Sequence, residues 1–328
     1  MRFVRLSVRA LALLGGGLAL ATPAVGQSSS AGAAGGPPAP GVRVPTFASR
    51  SELVVLSATA IDGKGRPVTN LKQRELLVLE EGRQQPIVHF AEGADVPARV
   101  LLLVDASGSM NGVLKASSAR MAAKQILAAL APADKVALAG FDSEYWGIVA
   151  WTTDRRQIEK GFEDLKHFGS TALHDALDKA AYDIASHGEG RRAVVVITDG
   201  VDTSSKGTPE AAIARSRALD VPIYTVTVVS PIDDPSSDRY VGKDRTPAGA
   251  AGGELLQRYA ALSGGSAFLV SDFAALHKAA RQISLELKHQ YRLGYDPPDG
   301  PQRFRRVEVR TTRKGVSIRT RSGYLPPS

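Results

Sequence analysis

Three oxygen-bearing side chains stand at alternate positions in Asp105-Ala106-Ser107-Gly108-Ser109, with a glycine between the two hydroxyls. A tight turn through this segment aims all three oxygens at one point. Hard divalent cations take such oxygen donors. Two more sources lie further along the chain. Thr171 sits in Gly169-Ser170-Thr171-Ala172-Leu173, at the expected first turn of a helix, and Asp199 precedes Gly200 at the end of an apolar run. The set is two carboxylates and three hydroxyls from three separated loops. Magnesium demands near-octahedral oxygen coordination and keeps waters. On that basis Ser107, Ser109 and Thr171 bind directly, and Asp105 and Asp199 act through water or as close acceptors. One coordination position is left for an outside group. With neutral hydroxyls innermost the ion keeps much of its positive charge, so a partner's Asp or Glu carboxylate is the natural last ligand. The donor set favours Mg2+ and also accommodates Mn2+ or Ca2+.

These residues need a scaffold. Val100-Leu101-Leu102-Leu103-Val104 and Ala193-Val194-Val195-Val196-Ile197-Thr198 read as strands buried on both faces. From 99 to 288, strands at 100–104, 135–141, 147–152, 193–198, 222–228 and 266–270 alternate with helices at about 112–130, 155–165, 172–187, 208–219, 253–263 and 272–288. That alternation predicts an α/β fold with a doubly wound, mostly parallel six-stranded sheet. Only about five residues separate strands 135–141 and 147–152, too few for a parallel crossover, so the pair is an antiparallel hairpin at one edge. Ligands bind beyond the carboxyl ends of strands in open parallel sheets. Asp105 and Asp199 both follow such ends.

Outside this region the chain changes character. Residues 1–26 read as a signal peptide: Arg2, Arg5 and Arg9 precede an apolar Ala10–Ala21 too short to span a bilayer, then Ala24-Val25-Gly26 offers small residues for cleavage. The implied location is exported, periplasmic or secreted. Residues 27–50, rich in Ser, Ala, Gly and Pro, read as a flexible linker. Residues 51–96 and 289–328 each look all-β and too small to bury a core alone. We expect them to pack together as one small β-sandwich, with 97–288 inserted between them.

The chain has 328 residues, net charge +8 and no cysteine. Disulfides and thiol catalysis are excluded. Part of the charge lies in Arg303, Arg305, Arg306, Arg310, Arg313, Lys314, Arg319 and Arg321. This tail could touch anionic envelope polymers, but reads more simply as a solvated sheet face. Few aromatics interleave with it, so nucleic acid is not expected. The six histidines lack metal-site spacing. His167 and His174 flank the Thr171 loop and are read as surface or packing residues. Trp146 and Trp151 are read as core or edge cover, Asp202 as a loop carboxylate rather than a support for Asp199 or a ligand, and Asp142 equally as a charged residue of the sheet edge or a turn residue. The long segment 230–253 follows a strand end, and reads equally as part of the rim that selects the partner or as a disordered segment with no role.

The pattern Asp105-x-Ser107-x-Ser109, then Thr171, then Asp199, resembles the metal-ion-dependent adhesion site (MIDAS) of von Willebrand factor type A domains, with no member missing. The resemblance covers about 97–288. The flanking Asp62-Gly63-Lys64-Gly65-Arg66-Pro67-Val68 and Arg321-Ser322-Gly323-Tyr324 are similar to exported VWFA-related proteins of acidobacterial type. The family implies metal-dependent protein binding, adhesion or scaffolding, without catalysis. Two alternatives stand beside it. The first is a Mg2+-dependent hydrolase or phosphatase. It is disfavoured because Ser107 occupies the position where such an enzyme wants a second acidic residue, and because neither a Gly-x-Ser-x-Gly elbow nor a Gly-x-x-x-x-Gly-Lys loop occurs. The second is a structural envelope protein in which the metal only stabilises the fold.

Overall fold

Alternating apolar residues in Val54–Asp62 form β1, the first element of the computed structural model, which describes residues 53–93, 96–111, 113–188, 190–229 and 247–326. The expected signal peptide and linker lie outside the described residues, as does most of the 230–253 segment. β2 (Leu76–Glu80) turns through Glu81-Gly82 into β3 (Arg83–Gln85), and β4 follows at His89–Glu92. Both turn residues have positive φ, 50° and 78°, the backbone of a tight two-residue hairpin. β3 was not expected, because Arg-Gln-Gln carries no apolar signal; it is a polar edge strand, as exposed edges tend to be.

The central region then alternates strands and helices. β5 (Arg99–Asp105) leads through a 3-10 turn at Gly108–Asn111 to α1 (Val113–Ala129). β6 (Lys135–Phe141) and β7 (Tyr145–Thr152) form the antiparallel hairpin, followed by α2 (Arg155–Glu163) and α3 (Leu173–Ser186). β8 (Arg192–Thr198), α4 (Pro209–Ala218), β9 (Ile223–Val228), α5 (Pro247–Ser263), β10 (Ala267–Val270) and α6 (Phe273–Lys288) complete it. The sheet order is β10-β9-β8-β5-β6-β7, parallel except for β7. Pleating divides β5 between two cores. Val100, Leu102 and Val104 pack with Ala122, Ile126, Ile158 and Ile283 from α1, α2 and α6. Leu101 and Leu103 pack with Leu173, Leu177, Ile213 and Tyr259 from α3, α4 and α5. Both faces are covered, which is why these strands read as unbroken apolar runs.

Helix α5 starts at Pro247, six residues before its expected start. Pro-Ala-Gly-Ala-Ala-Gly-Gly discourages a helix assignment from propensity, yet proline suits a first helical position. Gly252 is needed for packing: a Cβ there would lie 2.4 Å from the Gly200 carbonyl oxygen. The helix therefore approaches the loop that follows β8 with no side chain between.

β11 (Tyr291–Tyr295), β12 (Arg305–Thr311), β13 (Val316–Thr320) and β14 (Gly323–Tyr324) return to the first strands. Two antiparallel four-stranded sheets result, β13-β1-β11-β4 and β14-β12-β2-β3, each drawing strands from both ends of the chain. A third core of Leu56, Leu71, Val78, Tyr291, Tyr295 and Val307, among others, lies between them. Glu80 is buried there and accepts hydrogen bonds from Tyr295 (2.6 Å), Tyr324 (2.9 Å) and the Arg305 guanidinium (2.9 Å).

The basic tail is a solvated face only in part: Arg303, Arg306, Arg310 and Lys314 are exposed, while Arg305 and Arg321 are buried. Five of its eight basic residues are in ion pairs: Arg305 with Glu80, Arg310 with Glu308, Arg313 with Glu75, Arg319 with Glu286 and Arg321 with Asp220. Arg319 and Arg321 reach into the α/β region. Arg321 donates to the carbonyls of Arg217, just inside the end of α4, and of Val55 in β1, while Asp220 accepts from the Ser57 amide and hydroxyl. Arg217, Asp220 and Leu262, whose carbonyl accepts from the Ser322 amide, lie at or just past the C-terminal ends of α4 and α5. The β-sandwich is thus attached below the amino edge of the parallel sheet.

Candidate metal centre

Strand order reverses at β5: the chain runs outward through β6 and β7, then returns to β8 on the other side. A reversal of this kind opens a crevice beyond the carboxyl ends of the two central strands, here β5 and β8. Asp105 is the last residue of β5, and Asp199 follows the last residue of β8. The carboxyl-edge placement was legible in sequence. The reversal between these two strands was not, because strand order leaves no local signature.

Asp105 is fully buried. Its carboxylate accepts from the Ser107 amide (2.9 Å) and the Thr198 hydroxyl (2.6 Å). Burial holds its carboxyl above the usual carboxylate range; the Ser107 and Thr198 hydrogen bonds pull it down, and the negative Asp199 pushes it up again. Thr198 was not singled out in sequence. Its hydroxyl also accepts from the Gly200 amide (3.0 Å), so it links the two strand ends. Ser107 is 1% exposed, and its hydroxyl lies 3.0 Å from that of Ser109.

Thr171 is 3% exposed and sits two residues before α3, a little outside the helix rather than in its first turn. Its backbone is fixed from the Asp199 side: its amide donates to the Thr203 hydroxyl (2.8 Å), and its carbonyl accepts from the Thr203 and Ser204 amides. The other neighbour is the Asp105 turn, where the Gly108 amide donates to the Gly169 carbonyl (3.0 Å) and the Phe168 amide to that of Ala106 (2.8 Å). Gly169 has φ +84°, and a Cβ there would press on the Asp142 carboxylate at 3.3 Å. Hydrogen bonds therefore bring together the three loops that carry the five candidate residues.

The flanking residues hold the loops. Asp142 makes the turn expected of it, accepting from the Glu144 amide (3.0 Å). Asp202 is more than a loop carboxylate: it accepts from the Ser205 hydroxyl (2.5 Å) and amide and from the His174 amide. His174 is buried, with its ring 3.0 Å from the Tyr259 hydroxyl. Only the packing role expected for His174 was readable, since its partners lie 28 to 85 residues away.

The chemistry of the set fits a cation. Asp199 Oδ2 accepts from the Lys115 ammonium at 2.9 Å, while Asp199 Oδ1 is buried with no hydrogen-bond partner. A buried carboxylate oxygen without a donor is costly, and a metal ion removes that cost. No group of three or more His, Cys, Asp or Glu that could hold a metal occurs among the described residues. The fit accordingly rests on hydroxyls as much as on carboxylates, the pattern of a hard-cation site. No helix among the described residues is long and apolar enough to cross a membrane.

Residues 100–201 match the family model for the von Willebrand factor type A domain. A protein of Mycolicibacterium gilvum described as "UPF0353 protein" is 28% identical over 220 residues, 62% of this chain and 62% of its own length. The chain thus spans less than two thirds of that relative. Among solved structures, conserved hypothetical protein BatB from Bacteroides thetaiotaomicron is 19% identical, covering 58% of this chain and 99% of that one, with a TM-score of 0.46. Proximal thread matrix protein 1 from the mussel byssus, solved with a zinc-occupied MIDAS motif, is 14% identical, covering 65% of this chain and 50% of that one, with a TM-score of 0.45.

Proposed function

We propose that this chain, which carries a von Willebrand factor type A domain, is an exported protein-binding module that captures a partner's carboxylate through a divalent cation. Domains of this family typically mediate protein–protein contacts with a metal at the MIDAS. The observation that carries the reading is the unpartnered, buried Oδ1 of Asp199, set beside the buried Asp105 at the switch point of the sheet. In this reading Ser107, Ser109 and Thr171 hold the ion directly, and Asp105 and Asp199 hold its waters. A bound Mg2+ supplies a Lewis-acidic point for one oxygen of an Asp or Glu side chain on the partner. Thr198 and Ser107 keep the Asp105 carboxylate oriented; Thr203 and Ser204 do the same for the Thr171 loop.

We read the division of the chain as signal peptide 1–26, linker 27–50, and domain 97–288 carried between the β segments 51–96 and 289–328. Contact of the tail with anionic envelope polymers would fall to Arg303, Arg306 and Lys314, because its other basic residues are in ion pairs. Of the two histidines that flank the Thr171 loop, His174 is held away from general-base work: its ring is engaged by Tyr259 and faces Asp202.

The test has two stages. Calorimetric titration of the full chain with Mg2+ should give one binding event that Asp105→Ala abolishes while the far-ultraviolet dichroism is unchanged. Envelope proteins of the producing cell should then be captured by wild type with Mg2+, and not with chelator or by Asp105→Ala. Absence of Mg2+ binding to wild type, or equal capture in all three arms, would overturn the reading.

A further inference from the structure

Lys115 lies in the first turn of α1, six residues after Ser109. A cation there opposes the helix dipole, whose positive end favours acidic side chains. A residue that breaks a local rule of this kind calls for a compensating partner. Lys115 has one: its ammonium is 2.9 Å from Asp199 Oδ2, with the lysine side chain one-third exposed and the aspartate 11% exposed. The pair divides the Asp199 carboxylate, one oxygen on the lysine and the other, buried, on nothing.

We infer that Lys115 is a built-in counter-cation of the metal site that weakens divalent-ion affinity and, by leaving the loaded site net positive, makes it select an anionic partner group. The inference rests on the metal-binding reading above and goes beyond it by assigning the origin of partner selectivity. The argument is a count of charge. Asp105 and Asp199 together neutralise a divalent ion, because every remaining donor is a neutral hydroxyl. Without Lys115 the loaded site has no net charge, and only the open position on the ion itself attracts a carboxylate. With Lys115 it carries one positive charge, which one partner carboxylate cancels. Asp105 is fully buried and the Asp199 side chain 11% exposed, so solvent screens the two carboxylates less than it screens surface charges.

The same side chain serves the metal-free protein. It holds one oxygen of Asp199 in place, and with it the start of the loop whose Thr203 and Ser204 fix Thr171. Lys115 thereby keeps the loops assembled before the ion arrives. It then repels the ion that enters.

These two effects have opposite signs in one variant. The full chain is titrated with Mn2+ alone, and again in the presence of acetate as the carboxylate probe, for wild type, Lys115→Met and Lys115→Arg. Lys115→Met should bind Mn2+ at least tenfold more tightly than wild type, melt at a lower temperature without metal, and gain more in melting temperature on adding it. Acetate should tighten Mn2+ binding to wild type and to Lys115→Arg by a several-fold larger factor than to Lys115→Met. A residue with a purely structural role would lower melting with and without metal alike and would not tighten Mn2+. Lys115→Gln, whose amide still donates to Asp199, carries the same comparison if the methionine variant does not fold. Mn2+ affinity equal to or below wild type in the neutral variants, or an acetate effect undiminished in them, would overturn the inference. Failure of wild type itself to bind Mn2+ would instead overturn the metal-binding reading beneath it.

Discussion

Thr198 shows what a single residue contributes to the site and why its role was hidden. Its spacing to Asp199 is trivial, but its partner Asp105 lies 93 residues upstream. Thr198→Val keeps the shape, removes one donor to the buried Asp105 carboxylate and one acceptor for the Gly200 amide. It should cost about 1–3 kcal/mol of unfolding free energy in urea. It should also weaken Mg2+ binding, because the carboxylate loses the bond that orients it. An unchanged midpoint would show that water replaces the hydroxyl fully. Asp105, Ser107 and Ser109 were legible because one short turn carries all three. Thr171 and Asp199 were legible because each stands at the boundary of an element. Lys115, Thr198 and Thr203 were not, because their roles depend on which loops meet across the sheet edge.

At the scale of elements, hydrophobic pattern disclosed the six central strands and the β6–β7 hairpin. It failed where packing overrides propensity, at the glycine-rich start of α5, and where an element is polar or very short, at β3 and β14. The Glu80 cluster is a second feature of this scale. β2 alternates buried and half-buried positions, and the pleat that buries Leu76 and Val78 turns Glu80 inward as well. Arg305, Tyr295 and Tyr324, from three other strands, satisfy it. Glu80→Ala leaves Arg305 buried without its carboxylate and should cost about 3–5 kcal/mol, read from urea denaturation. A loss below about 1 kcal/mol, the level of an exposed pair, would show that the cluster is hydrated.

The junction of α6 and β11 titrates. His289 caps α6, and burial, with Lys288 and Arg191, holds its imidazole below the usual 6.5 against the pull of Glu92. The folded chain therefore binds fewer protons than the unfolded chain as pH drops below 6.5. Stability from this group is complete above that value and declines as the pH falls through the lowered folded value. His289→Asn should shrink the difference between urea midpoints measured at about pH 7.5 and about pH 5.5; an undiminished difference would assign the slope to other groups.

For the molecule as a whole, the flanks explain each other. Neither end of the chain encloses a core by itself, and every sheet of the sandwich alternates or juxtaposes strands from both. Removing residues 289–328 strips β1 of both neighbours and exposes Leu56, Val78 and the rest of that core. The truncated chain should aggregate on expression; a soluble fragment with the parent's melting temperature would show that the sandwich is dispensable. The sandwich joins the lower edge of the central sheet, and the candidate metal site faces away from it at the upper edge. This arrangement has a mechanical consequence. Tension applied between a captured partner and the start of the described chain acts on β1, which Val55 and Ser57 tie to Arg321 and Asp220. β1 runs antiparallel between β11 and β13, so a pull along it loads both ladders in shear, with their hydrogen bonds perpendicular to the force and strained together. Ladders loaded this way resist until many bonds yield at once, whereas a strand peeled from an edge loses them one by one. The first described strand is therefore seated where it can bear a sustained load.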